Sequence, residues 1–94
     1  MTHFLYILFS KSKDKYYIGE TSDVDFRLNL HNSHNFKNNF TKIADDWSVV
    51  LQFECYDKND ALYLEAFIKR MESKKFILKI IDNKDILLDI LAKK

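Results

Sequence analysis

Proline is absent from this 94-residue chain, glycine occurs once, at position 19, and cysteine once, at position 55. A lone cysteine excludes an internal disulfide and any multi-cysteine zinc site. One glycine leaves no material for a Gly-rich phosphate loop, and neither paired His/Cys zinc spacing nor a nucleophile elbow occurs. None of the serines sits in a recognisable triad context. No apolar run approaches a membrane span, and the start Met1-Thr2-His3-Phe4 lacks the basic region and cleavage site of a secretory signal. The expected compartment is the cytoplasm. A strong charge of either sign is also missing: 15 Lys and Arg stand against 14 Asp and Glu, for a net charge of +1. Any affinity for nucleic acid is therefore expected to be weak and salt-sensitive.

What remains is 47% hydrophobic and 31% charged, with eight Phe and five Tyr. That composition and length suit one soluble globular domain with a modest core. Most of the aromatics must be core. Phe4 to Ser10 is a short apolar run of strand formers, Ser10 to Asp14 is polar and turn-like, and Lys15 to Glu20 returns as a second strand. This hairpin would bring Tyr6 and Tyr17 near one another. Thr21, Ser22 and Asp23 supply candidate caps for a helix to about Ser33, and His34 to Asn39 is expected to be a loop.

Trp47 to Tyr56 reads as a third strand, with Val49, Leu51 and Phe53 alternating against Ser48, Val50 and Gln52. The segment Asp57 to Asp60 caps a helix from about Ala61 to Glu72, whose buried stripe is expected on Leu62, Ala66 and Ile68–Met71, with Leu64 and Phe67 nearby. Lys74 to Leu91 is helical in composition, with a break at Asn83-Lys84-Asp85. The order β-β-α-β-α-α predicts an α+β fold with a small three-stranded, mainly antiparallel sheet flanked by helices. Residues 1–94 form a single domain in this reading, with a core over about 3–80 and a C-terminal helical extension over 81–94.

Four features could carry chemistry. Glycine within a strand marks a place where another backbone or a ligand comes close, which singles out Gly19. Phenols such as Tyr6 and Tyr17 are poor bases at neutral pH unless a cation favours the phenolate, and strand tyrosines with hydroxyls at the rim explain the pair equally simply. Arg27 and His31 stand four apart on one helix face, where a guanidinium can hold phosphate oxygens and an imidazole can move a proton. A solvated helix face is the plainer account of them. Glu65 is a carboxylate among apolar residues, and one carboxylate with waters and substrate phosphate is a common way to hold Mg²⁺. Two runs of cations, Lys11-Lys13-Lys15 and Lys69-Arg70-Lys74-Lys75-Lys79, read most simply as solvated faces.

Taken together, Phe4-Leu5-Tyr6, ten intervening residues and Tyr17-Ile18-Gly19 resemble the paired signature of the GIY-YIG nucleases. Arg27, His31 and Glu65 follow in the family's order and approximate spacing. The short length and the surroundings of Phe40-Thr41 and Trp47 resemble the small stand-alone bacterial branch. That branch is similar to the N-terminal nuclease domain of the DNA-repair excinuclease ABC.

The resemblance spans about residues 3 to 80. It implies an endonuclease that hydrolyses phosphodiester bonds in DNA, or RNA, with a single Mg²⁺ or Mn²⁺ held by Glu65. In it Tyr17 is the general base, Tyr6 assists, Arg27 steadies the pentacovalent phosphate, and His31 contacts the phosphate or assists proton transfer. Gly19 would let a helix or the substrate approach the strand. Two departures are visible: Phe4 stands where the first motif has glycine, and Glu20 stands where some relatives place a lysine. The alternative is a catalytically weak or inactive module on the same fold, binding nucleic acid or a partner. With no appended DNA-binding domain, delivery by a protein partner is also expected.

Overall fold

The computed structural model describes residues 2–33 and 43–94. The expected loop from His34 to Asn39 and the Phe40-Thr41 pair lie outside the described residues. Seven elements follow in order: β1 (His3–Ser10), β2 (Lys15–Thr21), α1 (Val24–Ser33), β3 (Trp47–Cys55), α2 (Lys58–Met71), α3 (Lys74–Asp82) and α4 (Asp85–Ala92). The three strands make one antiparallel sheet in the order β2-β1-β3. This is the expected α+β architecture, with the last predicted helix divided in two. The division falls at Asn83, whose Oδ1 accepts from the Asp85 amide at 3.1 Å and starts the chain in a new direction.

β1 is the central strand, and its apolar run follows from burial on both faces rather than one. Leu5 and Ile7 face α2, α3 and α4 in a core with Ile18, Leu51, Leu64, Ile68 and Leu87. Tyr6 and Leu8 point the other way, into a smaller cluster with Val24, Ala44 and Trp47 on the α1 side. The simple alternation expected for β3 is interrupted. Ile7 pairs with Leu51 but Leu8 with Val49, so Val50 is an extra residue, a β-bulge. The bulge reverses the facing of the strand. Leu51, Phe53 and Cys55 therefore join the larger core, whereas Trp47 and Val49 pack on the α1 side. The Cys55 thiol is buried, and burial pushes its pKa up, as suits an inert core residue.

The stripe on α2 also differs from the expected one. Ala61, Leu64 and Ile68 are buried, while Leu62, Ala66 and Met71 are exposed. Helical geometry then sets Glu65 about 60° round from Ile68, at the border of the buried face. Asp57 caps α2 by accepting from the Asp60 amide at 3.0 Å, and Ser73 caps α3 by accepting from Phe76 at 3.1 Å.

Polar ties outside the elements hold the frame. The Asn32 side chain donates to the Trp47 carbonyl at 2.9 Å and accepts from its amide at 2.8 Å, joining the end of α1 to the start of β3. Asp46 accepts from the buried Ser10 hydroxyl at 2.6 Å and from the Ser12 amide at 2.9 Å, which fixes the β1–β2 loop. These bonds, the Ser10 hydroxyl foremost, hold the Asp46 carboxyl below its ordinary pKa. No helix among the described residues is long and apolar enough to cross a membrane.

Candidate active site

The hairpin register sets Tyr6 directly opposite Gly19. Gly19 has no positive φ; among the described residues Asp14 and Glu72 are the left-handed ones. The glycine is needed for space. A Cβ on it would lie 2.7 Å from the Tyr6 hydroxyl oxygen and 2.8 Å from Cζ. What approaches this strand is therefore the protein's own phenol, not the helix or substrate expected from sequence. β2 is an edge strand, so the Tyr6 hydroxyl reaches across Gly19 toward the rim of the sheet.

Three elements contribute aromatic rings here. The Tyr6 hydroxyl and His31 Nε2 share a buried hydrogen bond of 3.1 Å, the imidazole tautomer deciding which atom donates. The Tyr17 ring lies 4.7 Å from His31 and 6.3 Å from Tyr6 between centroids. Tyr6 is 1% exposed and His31 0%, so neither the rim tyrosine nor the solvated helix face describes them. Tyr17 is half-buried. Asp23 caps α1 by accepting from the Phe26 amide at 3.1 Å, and Thr21 Oγ1 accepts from the Asp23 amide. That turn carries His31 back over the hairpin.

Electrostatics leave both buried groups neutral. Burial, then the neighbouring Tyr17, then Glu65 and Glu20 push the Tyr6 pKa well above an ordinary phenol, against a lowering pull from Arg27. Tyr6 is thus a neutral phenol across the physiological range. Burial and the Arg27 charge lower the His31 pKa to about 4, so this imidazole is neutral too. The Arg27 charge acts on both groups. Glu65 acts on Tyr6 from α2, on the opposite side of the sheet. Its side chain is 19% exposed and accepts from Lys69 Nζ at 2.6 Å.

The structure brings Tyr6, Tyr17, His31 and Gly19 together, while Arg27 and Glu65 bear on that cluster through their charges. A fully buried His31 bonded to Tyr6 does not meet a phosphate from this position; it holds Tyr6 and packs Tyr17. Sequence reasoning missed Lys69, which only the i, i+4 spacing from Glu65 signals. It also missed His3, whose Nδ1 lies 2.8 Å from the carboxylate of Glu20, the residue that follows Gly19.

The described residues hold no group of three or more His, Cys, Asp or Glu side chains able to share a metal ion. Hydrated Mg²⁺ or Mn²⁺ asks for less, commonly one or two carboxylates completed by waters and substrate phosphate. Glu65 meets that requirement: it is a half-buried acid paired, among the described residues, with a lysine that is itself 51% exposed.

Two outcomes follow directly. Gly19→Ala should force the buried Tyr6 ring aside, lengthen its bond to His31 and destabilise the domain by about 1–3 kcal/mol. Thermal unfolding measures this, and an unchanged Tm would contradict the close approach. His31 should titrate with a midpoint near pH 4 by NMR. The unfolded imidazole takes a proton below about pH 6.5. The contribution of His31 to stability is therefore complete above pH 6.5 and is lost as pH falls toward 4, by up to about 3 kcal/mol. An ordinary midpoint would contradict its burial.

A three-stranded antiparallel sheet with a tyrosine–histidine cluster over its edge hairpin and an acid from the far helix defines a compact α+β catalytic-domain fold. The GIY-YIG catalytic domain model matches residues 2–78, and the chain belongs to that family of nucleases. Among solved structures it is similar to the solution NMR structure of the UPF0213 protein BH0048 from Bacillus halodurans. The two are 27% identical with a TM-score of 0.55, and the match covers 87% of this chain and 84% of that one. No curated protein matches the chain.

Proposed function

We propose that this protein is a cytoplasmic, divalent-metal-dependent endonuclease that hydrolyses phosphodiester bonds in DNA. The observation that carries the reading is the meeting of Tyr6, Tyr17 and His31, from three different elements, over the one glycine of the chain. Such convergence around a space-making glycine exceeds what core packing requires.

Tyr17, as its phenolate, is the group that receives the proton of the attacking water and becomes a neutral phenol. It is the more open of the two tyrosines, and Tyr6 is kept neutral by burial and by nearby carboxylates. Tyr6 acts as a fixed hydroxyl beside it, locked by His31. His31 is a positioning residue in this account, neutral and packed against the Tyr17 ring. Arg27 offsets the negative charge that gathers on the phosphate in the transition state. Glu65 would hold a single Mg²⁺ or Mn²⁺, which when bound supplies Lewis-acid stabilisation of the phosphate and leaving oxygens.

The direct test is nicking of supercoiled plasmid by the purified chain. Mg²⁺ or Mn²⁺ should support relaxation of the plasmid, and EDTA should stop it. Binding of DNA without any nicking in either metal would leave a binding module on this fold and overturn the proposal.

A further inference from the structure

The two lysine runs that read from sequence as separate solvated faces are brought together by the fold. Lys74 Nζ donates to both carboxylate oxygens of Asp14 at 3.2 Å, tying the start of α3 to the β1–β2 loop across 60 residues of sequence. Between them runs a groove of about 520 Å³. Its rim carries Lys15, Lys69 and Lys74, and its floor is formed by Tyr16, Ile18 and Ile68. Asp14 and Glu72 also line it, the first already bridged by Lys74. Lys13 and Lys75 are exposed at the next positions along the loop and the helix.

The walls of this groove are the elements that carry the candidate site. β2 offers Tyr17 and Gly19 to the site and Lys15, Tyr16 and Ile18 to the groove; α2 offers Glu65 to the site and Lys69 to the groove, one turn on. β2 is an edge strand. A chain passing its rim at Gly19 is free to turn onto the α2 side. From Gly19 to Lys15 the strand runs about 13 Å at ~3.3 Å per residue.

We infer that this groove binds a single-stranded segment of nucleic acid leading away from the scissile phosphate. The inference rests on the nuclease reading and adds the path of the substrate. On the lining, Lys15, Lys69 and Lys74 outnumber Asp14 and Glu72 by one, with Lys69 shared with Glu65; that modest positive excess suits the phosphates, and a floor with an aromatic ring suits unpaired bases or sugars. A duplex would offer phosphates to the rim but nothing to the floor.

Binding of a fluorescent 20-mer of deoxythymidine, measured against salt in EDTA, tests the inference without turnover. In the Lys15→Gln/Lys74→Gln variant the slope of log affinity against log salt should fall by about 1.4, two phosphate contacts at ~0.7 each. The Lys58→Gln/Lys84→Gln variant removes the same charge elsewhere and should keep the wild-type slope. Equal loss in both variants, an unchanged slope in the groove variant, or no binding by the wild type would overturn the path. Tighter binding of a poly-glutamate peptide than of the oligonucleotide would overturn it in favour of a protein ligand. Plasmid nicking by the same groove variant separates the two readings: normal nicking with an unchanged slope leaves the nuclease assignment standing and removes only the path.

Discussion

Tyr17→Phe is expected to lower plasmid nicking by about 10²–10⁴-fold, the usual worth of a positioned acid–base group, while leaving the fold intact. The substitution removes one oxygen from a half-buried ring and keeps the ring that packs 4.7 Å from His31. Loss of the hydroxyl is therefore separable from loss of packing. A stability change beyond about 1 kcal/mol would exceed an ordinary hydrogen-bond contribution. The two tyrosines are not interchangeable in this respect. Tyr6 is sealed in, bonded to His31 and held above the ordinary phenol pKa, which makes it a poor proton acceptor. Nicking by Tyr17→Phe at the wild-type rate would remove the proposed base and with it the mechanism.

Glu65→Ala should reduce metal-supported nicking at least about a hundredfold, since a bound metal is worth several kcal/mol of charge stabilisation in such a step. The fold should survive. The Lys69–Glu65 pair is an i, i+4 surface contact whose lysine is half exposed, and such pairs contribute about 0–1 kcal/mol. The buried line of α2 runs through Ala61, Leu64 and Ile68 and does not depend on the carboxylate. Rates at a series of Mg²⁺ concentrations, with Tm measured alongside, check both halves. Equal residual nicking in the variant would point to a contaminating nuclease.

Much of the frame is legible in the sequence because its signals are local. A continuous apolar run, a polar turn and a second strand define the hairpin, though not its register. The breaks at Asp57, Ser73 and Asn83 are capping chemistry written in single residues. What escapes is non-local. The Val50 bulge depends on how β3 docks against β1, so no periodicity count reveals that Trp47 and Leu51 face opposite sides. The α2 stripe departs from expectation in part for a related reason: Ile68 is buried as expected, but Leu62 and Met71 are as apolar as Leu64, and only the position of the sheet chooses among them. The candidate site residues emerge through their resemblance to a family pattern, but their burial does not. The sequence offers Arg27 and His31 as a polar face, and it takes the fold of the hairpin to bury His31 against Tyr6. Gly19 is legible as a point of close approach, whereas the group that approaches it is not.

A crystal soaked in Mn²⁺ tests the central claim most directly. The account predicts anomalous density about 2.1 Å from a Glu65 carboxylate oxygen, close to octahedral Mg²⁺ geometry, with Lys69 displaced and the Tyr17 hydroxyl on the same solvent pocket. Density elsewhere, with Glu65 still holding Lys69, would contradict it.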